Sequence, residues 1–451
     1  MIRMIAVAVT VLSFFAPPAV LAQQAPPVAS ARLDAPVSLT ANQRVAAIEA
    51  IVAAIREKYV FPERVPAIEA KLRESHAAGR YAVDAPRAFA ERVTEDLRQS
   101  SDDGHMYLDY APERYTLASS ASSDAEREAA TMTYWHRQAR RDNHGLAEMR
   151  ILAGNVRYLK ITGFHWIDDE TGAAYDAAAR FLRGGDAIIL DLRGNGGGSH
   201  GAVRYLISHF LEPNRHEMTF LQAGEPPSQS RTLDYLPSGR LTDQPLYVLT
   251  NGRTASAAEA FAYDVQQFRL GRLIGEKTAG GANNNSFVPV APGFMLSVSY
   301  GRPVHPVSGS NWEGTGITPD IAVSSAQALK AAHAEMLTEL LGRSDADPVA
   351  RADWEWARTA AQARLAPVSV PESQLQALAG SYGSDRVVFR EGSLWFKRAD
   401  RQPQRLLPLD NRGLFEVEGY REALRLRLDG RDMEILWIDE PEPIRVSRSD
   451  D

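Results

Sequence analysis

Cysteine is absent from all 451 residues. This excludes disulfides, thiolate nucleophiles, cysteine-bound metals and a lipidated N-terminal cysteine together. Any nucleophile must be an oxygen or a lysine. Positive charge is not in excess either: 50 Lys and Arg against 57 Asp and Glu leave a net charge of −7. Such a balance offers no footprint for a phosphate backbone, so nucleic acid is not an expected partner. Long apolar runs are lacking as well. The longest opens the chain, MIRMIAVAVTVLSFFAPPAVLAQQ, and Pro17 and Pro18 interrupt it well short of the ~20 residues a spanning helix needs. With Arg3 ahead of the run and small residues at Val20 and Ala22, residues 1–22 have signal-peptide anatomy. The chain is therefore expected to be exported, periplasmic or extracellular, without a stable membrane span. No His pair with a carboxylate at ligand spacing occurs, so neither a metal nor a cofactor is expected.

What remains reads as three units. After the leader QQAPPVASARLDAP, Thr40 is a plausible N-cap, and Val45, Ile48, Ile51, Val52 and Ile55 recur on one helix face. Two more helices, Pro66 to His76 and Pro86 to Leu97, complete a helical unit over residues 38–104. The Ser/Ala-rich stretch from Ser119 to Ala130 predicts a surface connection into a polar helix near Arg140. From Leu146 the period changes: alternation on both sides of Ala153-Gly154-Asn155 predicts a hairpin. Buried strands at Ala187–Leu190, Leu246–Leu249 and Leu273–Gly275 alternate with helices at Glu170–Leu182, His200–Leu211 and Ser256–Phe268. That order predicts an α/β core with a mainly parallel sheet over residues 105–325, with function carried by loops at the strand C-termini. A helical linker (326–370) and a small all-β, barrel-like module (371–451) follow.

Four motifs could carry chemistry. Asn251-Gly252-Arg253-Thr254-Ala255-Ser256-Ala257-Ala258-Glu259 lies between a buried strand and a helix, where Ser256 would stand beside the free N–H groups of a helix start. The same Ser256-x-x-Glu259 spacing equally describes a capping box with no chemical role. Asp191-Leu192-Arg193-Gly194-Asn195-Gly196-Gly197-Gly198 follows another strand, and its glycines could let backbone N–H groups approach a carbonyl; Gly196-x-Gly198-x-x-Gly201 also matches a dinucleotide fingerprint. His105 ends Asp102-Asp103-Gly104-His105, either as a reactive imidazole or as an ordinary loop histidine. Glu313 lies in the turn-rich Trp312–Asp320 loop, where it could equally be a solvated carboxylate.

In the order DGH, DLRGNGGG, NGRTASAAE, GEKTAGG, GxxPD, the chain resembles the tail-specific (C-terminal-processing) serine proteases, closest to the branch containing interphotoreceptor retinoid-binding protein and the tricorn core protease. The resemblance spans about residues 40–325 and implies a crotonase/ClpP-like core. It implies Ser256 as nucleophile, and the Ala257 N–H with Gly197 or Gly198 as oxyanion donors. Processing proteases place a lysine base at the position occupied here by Gly281, while Lys277 sits at a variable position. The histidine and glutamate of the tricorn-like branch map instead onto His105 and Glu313. The PDZ module usual in processing proteases does not fit in the roughly fifty residues between His105 and Val156. The expected activity is hydrolysis of peptide bonds in a peptide or polypeptide, with substrate extended near a strand such as Leu296–Tyr300. The rival is a non-catalytic carrier of retinoid or fatty-acid type ligands.

Overall fold

The computed structural model describes residues 38–120, 124–166, 169–222, 225–420, 423–440 and 442–449. The expected signal peptide (1–22) lies outside them. Among the described residues no helix is long and apolar enough to cross a membrane.

The core is a six-stranded sheet in the order Ile321–Ala322, Arg272–Gly275, Leu246–Thr250, Ala187–Asp191, Val156–Ile161, Leu146–Leu152. All neighbours are parallel except the last pair. That pair is the hairpin expected at Gly154-Asn155, both of which have positive φ, as the tight hairpin turn requires. Successive residues of the central strand point to opposite faces, and both faces are covered. Ile188 and Leu190 pack with helices Asp169–Arg183, His200–Ile207 and Ala257–Gln267. Ala187 and Ile189 pack with helices Ala328–Leu341 and Pro348–Leu365 from the 326–370 segment. This two-sided burial explains why the strand is continuously apolar, each fully buried aliphatic side chain contributing about 1.5–3 kcal/mol.

A second sheet is antiparallel. Strand Phe294–Val304 is its centre, with Asn284–Val290 along one side and Tyr107–Tyr110 and His216–Gln222 along the other; Ser228–Arg231 is the outer edge beyond His216–Gln222. Helices Ala41–Lys58, Val65–Ala77 and Pro86–Ser101 bury Ile51, Leu72, Phe89 and Val93 against Val290, Phe294 and Leu296 of this sheet. Thr40 caps the first helix as expected, accepting from the Gln43 N–H. The expected connection over Ser119–Ala130 is corrected: helix Pro112–Ser120 and helix Asp124–Arg141 take up its described residues, because Ala, Glu and Arg after Asp124 are strong helix formers. Between the Tyr107–Tyr110 strand and the hairpin the described chain is helical.

The last unit is an eight-stranded antiparallel meander from Gly380–Tyr382 to Ile444–Ser447. A bridge between Tyr382 and Arg448 brings its end back to its start. Tyr382, Phe396, Phe415, Leu426 and Met433 fill its interior. It is docked on helix Pro348–Leu365 by an Arg364–Glu416 ion pair and by Arg425, whose guanidinium lies 3.9 Å from the Trp356 ring centroid.

Candidate active site

Strand Leu246–Thr250 ends in the turn that carries Ser256, which precedes helix Ala257–Gln267. An ordinary capping serine or threonine has extended backbone; Thr40 (φ −71°, ψ 159°) and Ser199 (φ −81°, ψ 129°) conform. Ser256 does not, at φ 55° and ψ −123°. A side chain is held in this sparsely populated region only when its surroundings impose it, and such outliers gather at functional sites. The same conformation puts a nucleophile at the apex of a strand–turn–helix elbow.

The glycine turn sits directly behind it. A Cβ on Gly197 would lie 2.7 Å from Ser256 Cβ and 2.8 Å from the Ala257 nitrogen; one on Gly198 would lie 2.1 Å from the Phe164 carbonyl oxygen. These glycines make room for the protein's own backbone, which accounts for the pattern without a dinucleotide. The Gly197 N–H donates to Asn195 Oδ1 at 2.9 Å, so it is engaged. Phe164 is bridged to Gly198 through the Gly197 carbonyl and the Ser199 N–H, and the Gly198 N–H has no partner among the described residues. Ala257 opens its helix, and its N–H is one of those without an intrahelical partner. Gly198, Ser256 and Ala257 line one cleft.

Glu259 does more than cap. It is fully buried, and its carboxylate accepts from four donors: Thr278 Oγ1 and the Gly280 N–H on Oε1, the Gly281 and Ser256 N–H groups on Oε2. Burial raises its pKa, and these donors oppose the rise. The serine turn and the Gly280-Gly281 turn are thereby fastened to one carboxylate.

His105 meets that second turn from the other side. A Cβ on Gly281 would stand 2.9 Å from His105 Cε1 and 3.3 Å from Nδ1, so the imidazole occupies the space a side chain at 281 would fill. Burial holds the His105 pKa below its ordinary value, with the Asp103 charge pulling the other way. Its Nδ1 is buried without a hydrogen-bond partner. No hydrogen bond joins His105 to Ser256; such bonds often tighten only when substrate is present.

Two carboxylates flank the imidazole, with atoms of Asp103, His105 and Glu313 all within 4.8 Å of one another. Glu313 reaches no ring nitrogen by a hydrogen bond; it accepts from the backbone of Gly104 (3.1 Å), Ala282 (2.5 Å) and Asn283 (2.9 Å). Burial raises its pKa, and so does Asp103. Asp103 is 2% exposed, accepts the His105 N–H at 2.9 Å and takes Asn283 Nδ2 at 3.0 Å. Sequence reasoning passed over Asp103 and read Glu259 as a cap; the only available signals were their positions, two residues before the histidine and three after the serine. The three groups have ligand-type atoms, but their oxygens are already engaged by N–H donors.

The cleft at Ser256 has a volume of about 260 Å³, and Met218, Ala260, Trp312 and Asn283 add to its walls. A peptide is expected from the sequence beside a sheet edge near Leu296–Tyr300; Tyr300 does line the Ser256 cleft, but the strand offers no free edge. That stretch is interior to its sheet, paired with Asn284–Val290 on one side, while the Val60 N–H donates to the Ser299 carbonyl. Among the described residues, Tyr107–Tyr110, Asn284–Val290 and Ser228–Arg231 are the strands of this sheet paired on one side only.

Known proteins are similar to parts of this chain. Residues 155–323 match Peptidase family S41, and residues 37–142 match the N-terminal domain of Peptidase_S41 in eukaryotic IRBP. A carboxy-terminal-processing protease of Bartonella bacilliformis is 30% identical over 177 residues, 38% of this chain and 39% of that protein. A carboxyl-terminal-processing protease of Synechocystis sp. is 30% identical over 178 residues, 38% of each chain. The chain thus spans about two fifths of the length of these relatives. Among solved structures, the photosystem II D1 C-terminal processing protease superposes at a TM-score of 0.42 with 16% identity, over 68% of this chain and 98% of that one. The two adjoining family matches take in the His105 turn and the Ser256 turn respectively, and the chain belongs to peptidase family S41.

Proposed function

We propose that this protein is an exported serine peptidase, with a crotonase/ClpP-like core, that hydrolyses peptide bonds through Ser256, His105 and Glu313. The observation that carries the reading is the backbone of Ser256, φ 55° and ψ −123°, beside two unused N–H groups and across the Gly281 turn from a histidine. In this mechanism neutral His105 takes the proton of Ser256 Oγ as that oxygen bonds to the scissile carbonyl carbon. The oxygen of the tetrahedral intermediate is met by the N–H groups of Gly198 and Ala257, each worth about 3–4 kcal/mol in comparable sites. Gly197, named with them from the sequence, serves as the packing surface behind the serine. His105 then gives its proton to the leaving amine as the C–N bond breaks, and a water activated the same way releases the acyl group.

Glu313 holds the His105 turn and the 281–283 turn at a fixed separation through three backbone N–H groups; it is a positioning residue. Asp103 supplies the negative charge that His105 responds to and favours the imidazolium as it forms. For the carrier reading stands the match of residues 37–142 to the N-terminal domain of Peptidase_S41 in eukaryotic IRBP; against it, the cleft of about 260 Å³ falls below the ~300–1,000 Å³ usual for small-molecule sites, and three asparagines, Asn283 to Asn285, lie on its wall.

The test is labelling of purified protein with a fluorophosphonate probe. Labelling is expected on Ser256 and is lost in Ser256→Ala and His105→Ala; labelling that survives Ser256→Ala overturns the assignment. Absent labelling together with tight retinoid or fatty-acid binding would establish the carrier.

A further inference from the structure

The cleft at Ser256 continues into a second, wider groove of about 640 Å³, the two sharing His200 and Phe220 on their walls. The floor of this groove is cationic. Arg204 projects from helix His200–Ile207, half-buried, and its Nε is held by the Arg231 carbonyl. Among the described residues its Nη1 and Nη2 have neither a hydrogen bond nor a carboxylate partner. Three other arginines are paired instead with carboxylates: Arg193 with Asp191, Arg56 with Glu69 and Arg73 with Glu49. Arg231, also on the groove wall, spends single bonds on the Asn214 carbonyl and Gln229 Oε1, both at 3.0 Å. The fully buried Glu217 lies behind the wall: its Oε1 is 2.9 Å from His200 Nε2, its Oε2 has no hydrogen-bond partner, and against the effect of burial the His200 contact and the Arg204 charge hold its pKa below the ordinary value. Among the described residues Asp234 is the one carboxylate on the lining.

A planar guanidinium with both Nη groups free and its Nε fixed presents the fork that matches a carboxylate. Beside it, strand Ser228–Arg231 pairs with His216–Phe220 on one side and leaves its other edge open, a ready template for an extended peptide. We propose that this groove is a substrate subsite: the peptide main chain runs from Ser256 past His200 onto the open edge of Ser228–Arg231, and a carboxylate of the substrate docks on Arg204. The inference rests on the peptidase reading. It gives the chain a way to select substrates by charge through its own core.

A carboxylate can come from the C-terminus of the peptide or from a Glu side chain, and matched probes separate them. Fluorescent peptides ending in a free acid or an amide, and carrying an internal Glu or Gln, are titrated by anisotropy against full-length Ser256→Ala protein. The expected result is about tenfold tighter binding of one carboxylate-bearing member over its neutral partner, the scale of one charge-assisted bond. Adding Arg204→Gln should abolish the difference, and Arg204→Lys should restore part of it. A preference confined to the acid/amide pair assigns the terminus; one confined to Glu/Gln assigns the side chain. Binding that ignores the carboxylate, or a preference that survives Arg204→Gln, overturns the subsite and leaves the peptidase reading intact. No binding of any peptide, together with no probe labelling of the native serine, overturns both.

Discussion

The two turns that meet at the site are built in opposite ways. The Ser256 turn is secured largely by its own surroundings in the core: the strand it leaves, the helix it starts, Glu259 three residues on, and the glycine turn of the adjacent parallel strand. The His105 turn leaves helix Pro86–Ser101 and is held mainly by groups far along the chain. Glu313 binds Gly104 across 209 positions, Ser297 Oγ donates to the His105 carbonyl, and Asn283 holds Asp103. The position of Ser256 is fixed largely by local geometry, whereas that of His105 depends on the packing of one unit against another.

The comparison breaks first at Ser256. Ser256→Gly should lower kcat/KM by about 10⁴-fold or more, as loss of a nucleophile does, while urea denaturation shows no loss of stability, because glycine accepts φ 55° without strain. Thr40→Ala, at an ordinary cap, should do the reverse: about 1 kcal/mol of stability lost and activity retained. A Ser256→Gly protein destabilised like Thr40→Ala would mean that the serine is only a cap.

Next is the meeting point. A methyl on Gly281 points at the imidazole, so Gly281→Ala should displace His105 and cost about 10²-fold in kcat, the scale of a roughly 1 Å misplacement, with little change in stability. Unchanged kcat would place the base elsewhere. Third, Glu313→Ala leaves three backbone N–H groups without their acceptor and should cost about 2–4 kcal/mol. Loosening the His105 turn should also lower kcat more than it raises KM, which steady-state kinetics on the folded variant can separate.

The smallest expected effect concerns pH. Because burial holds the His105 pKa below its usual value, the imidazole stays in its neutral, base form as pH falls through ~6.5. The acid limb of kcat/KM should therefore lie below that value. Asp103 is the influence that raises this pKa, so Asp103→Asn should move the limb to still lower pH. An unmoved limb would reduce Asp103 to a backbone clamp.

Much of this was legible in advance, and unevenly so. The parallel strands, the Gly154-Asn155 hairpin and the Ser256 helix follow from apolar period and turn chemistry, since each element announces its burial in consecutive residues. The antiparallel sheet was not legible. Its edge strand Ser228–Arg231 has no apolar alternation, and its partners lie far apart in the chain, so only tertiary pairing makes it a strand. That sheet makes Leu296–Tyr300 an interior stretch, with no free edge for a peptide to pair along. At the site itself, Ser256 and the glycines are set out by strand–turn–helix logic, but a cap and a nucleophile share the pattern Ser-x-x-Glu, and only the structure shows the backbone of Ser256 at φ 55° and ψ −123°.

The sequence by itself narrowed which atoms could act: without cysteine any nucleophile is an oxygen or a lysine, and a glycine turn and a serine turn each follow a buried strand. Only the tertiary structure decided how those atoms are held. It placed His105 where a side chain at 281 would otherwise lie, turned Glu313 toward backbone rather than the imidazole, and brought Asp103 in as the charge beside it. The reason is physical: residue types set what a group can donate or accept, while burial and the approach of distant segments set which partner it meets and how far its pKa moves.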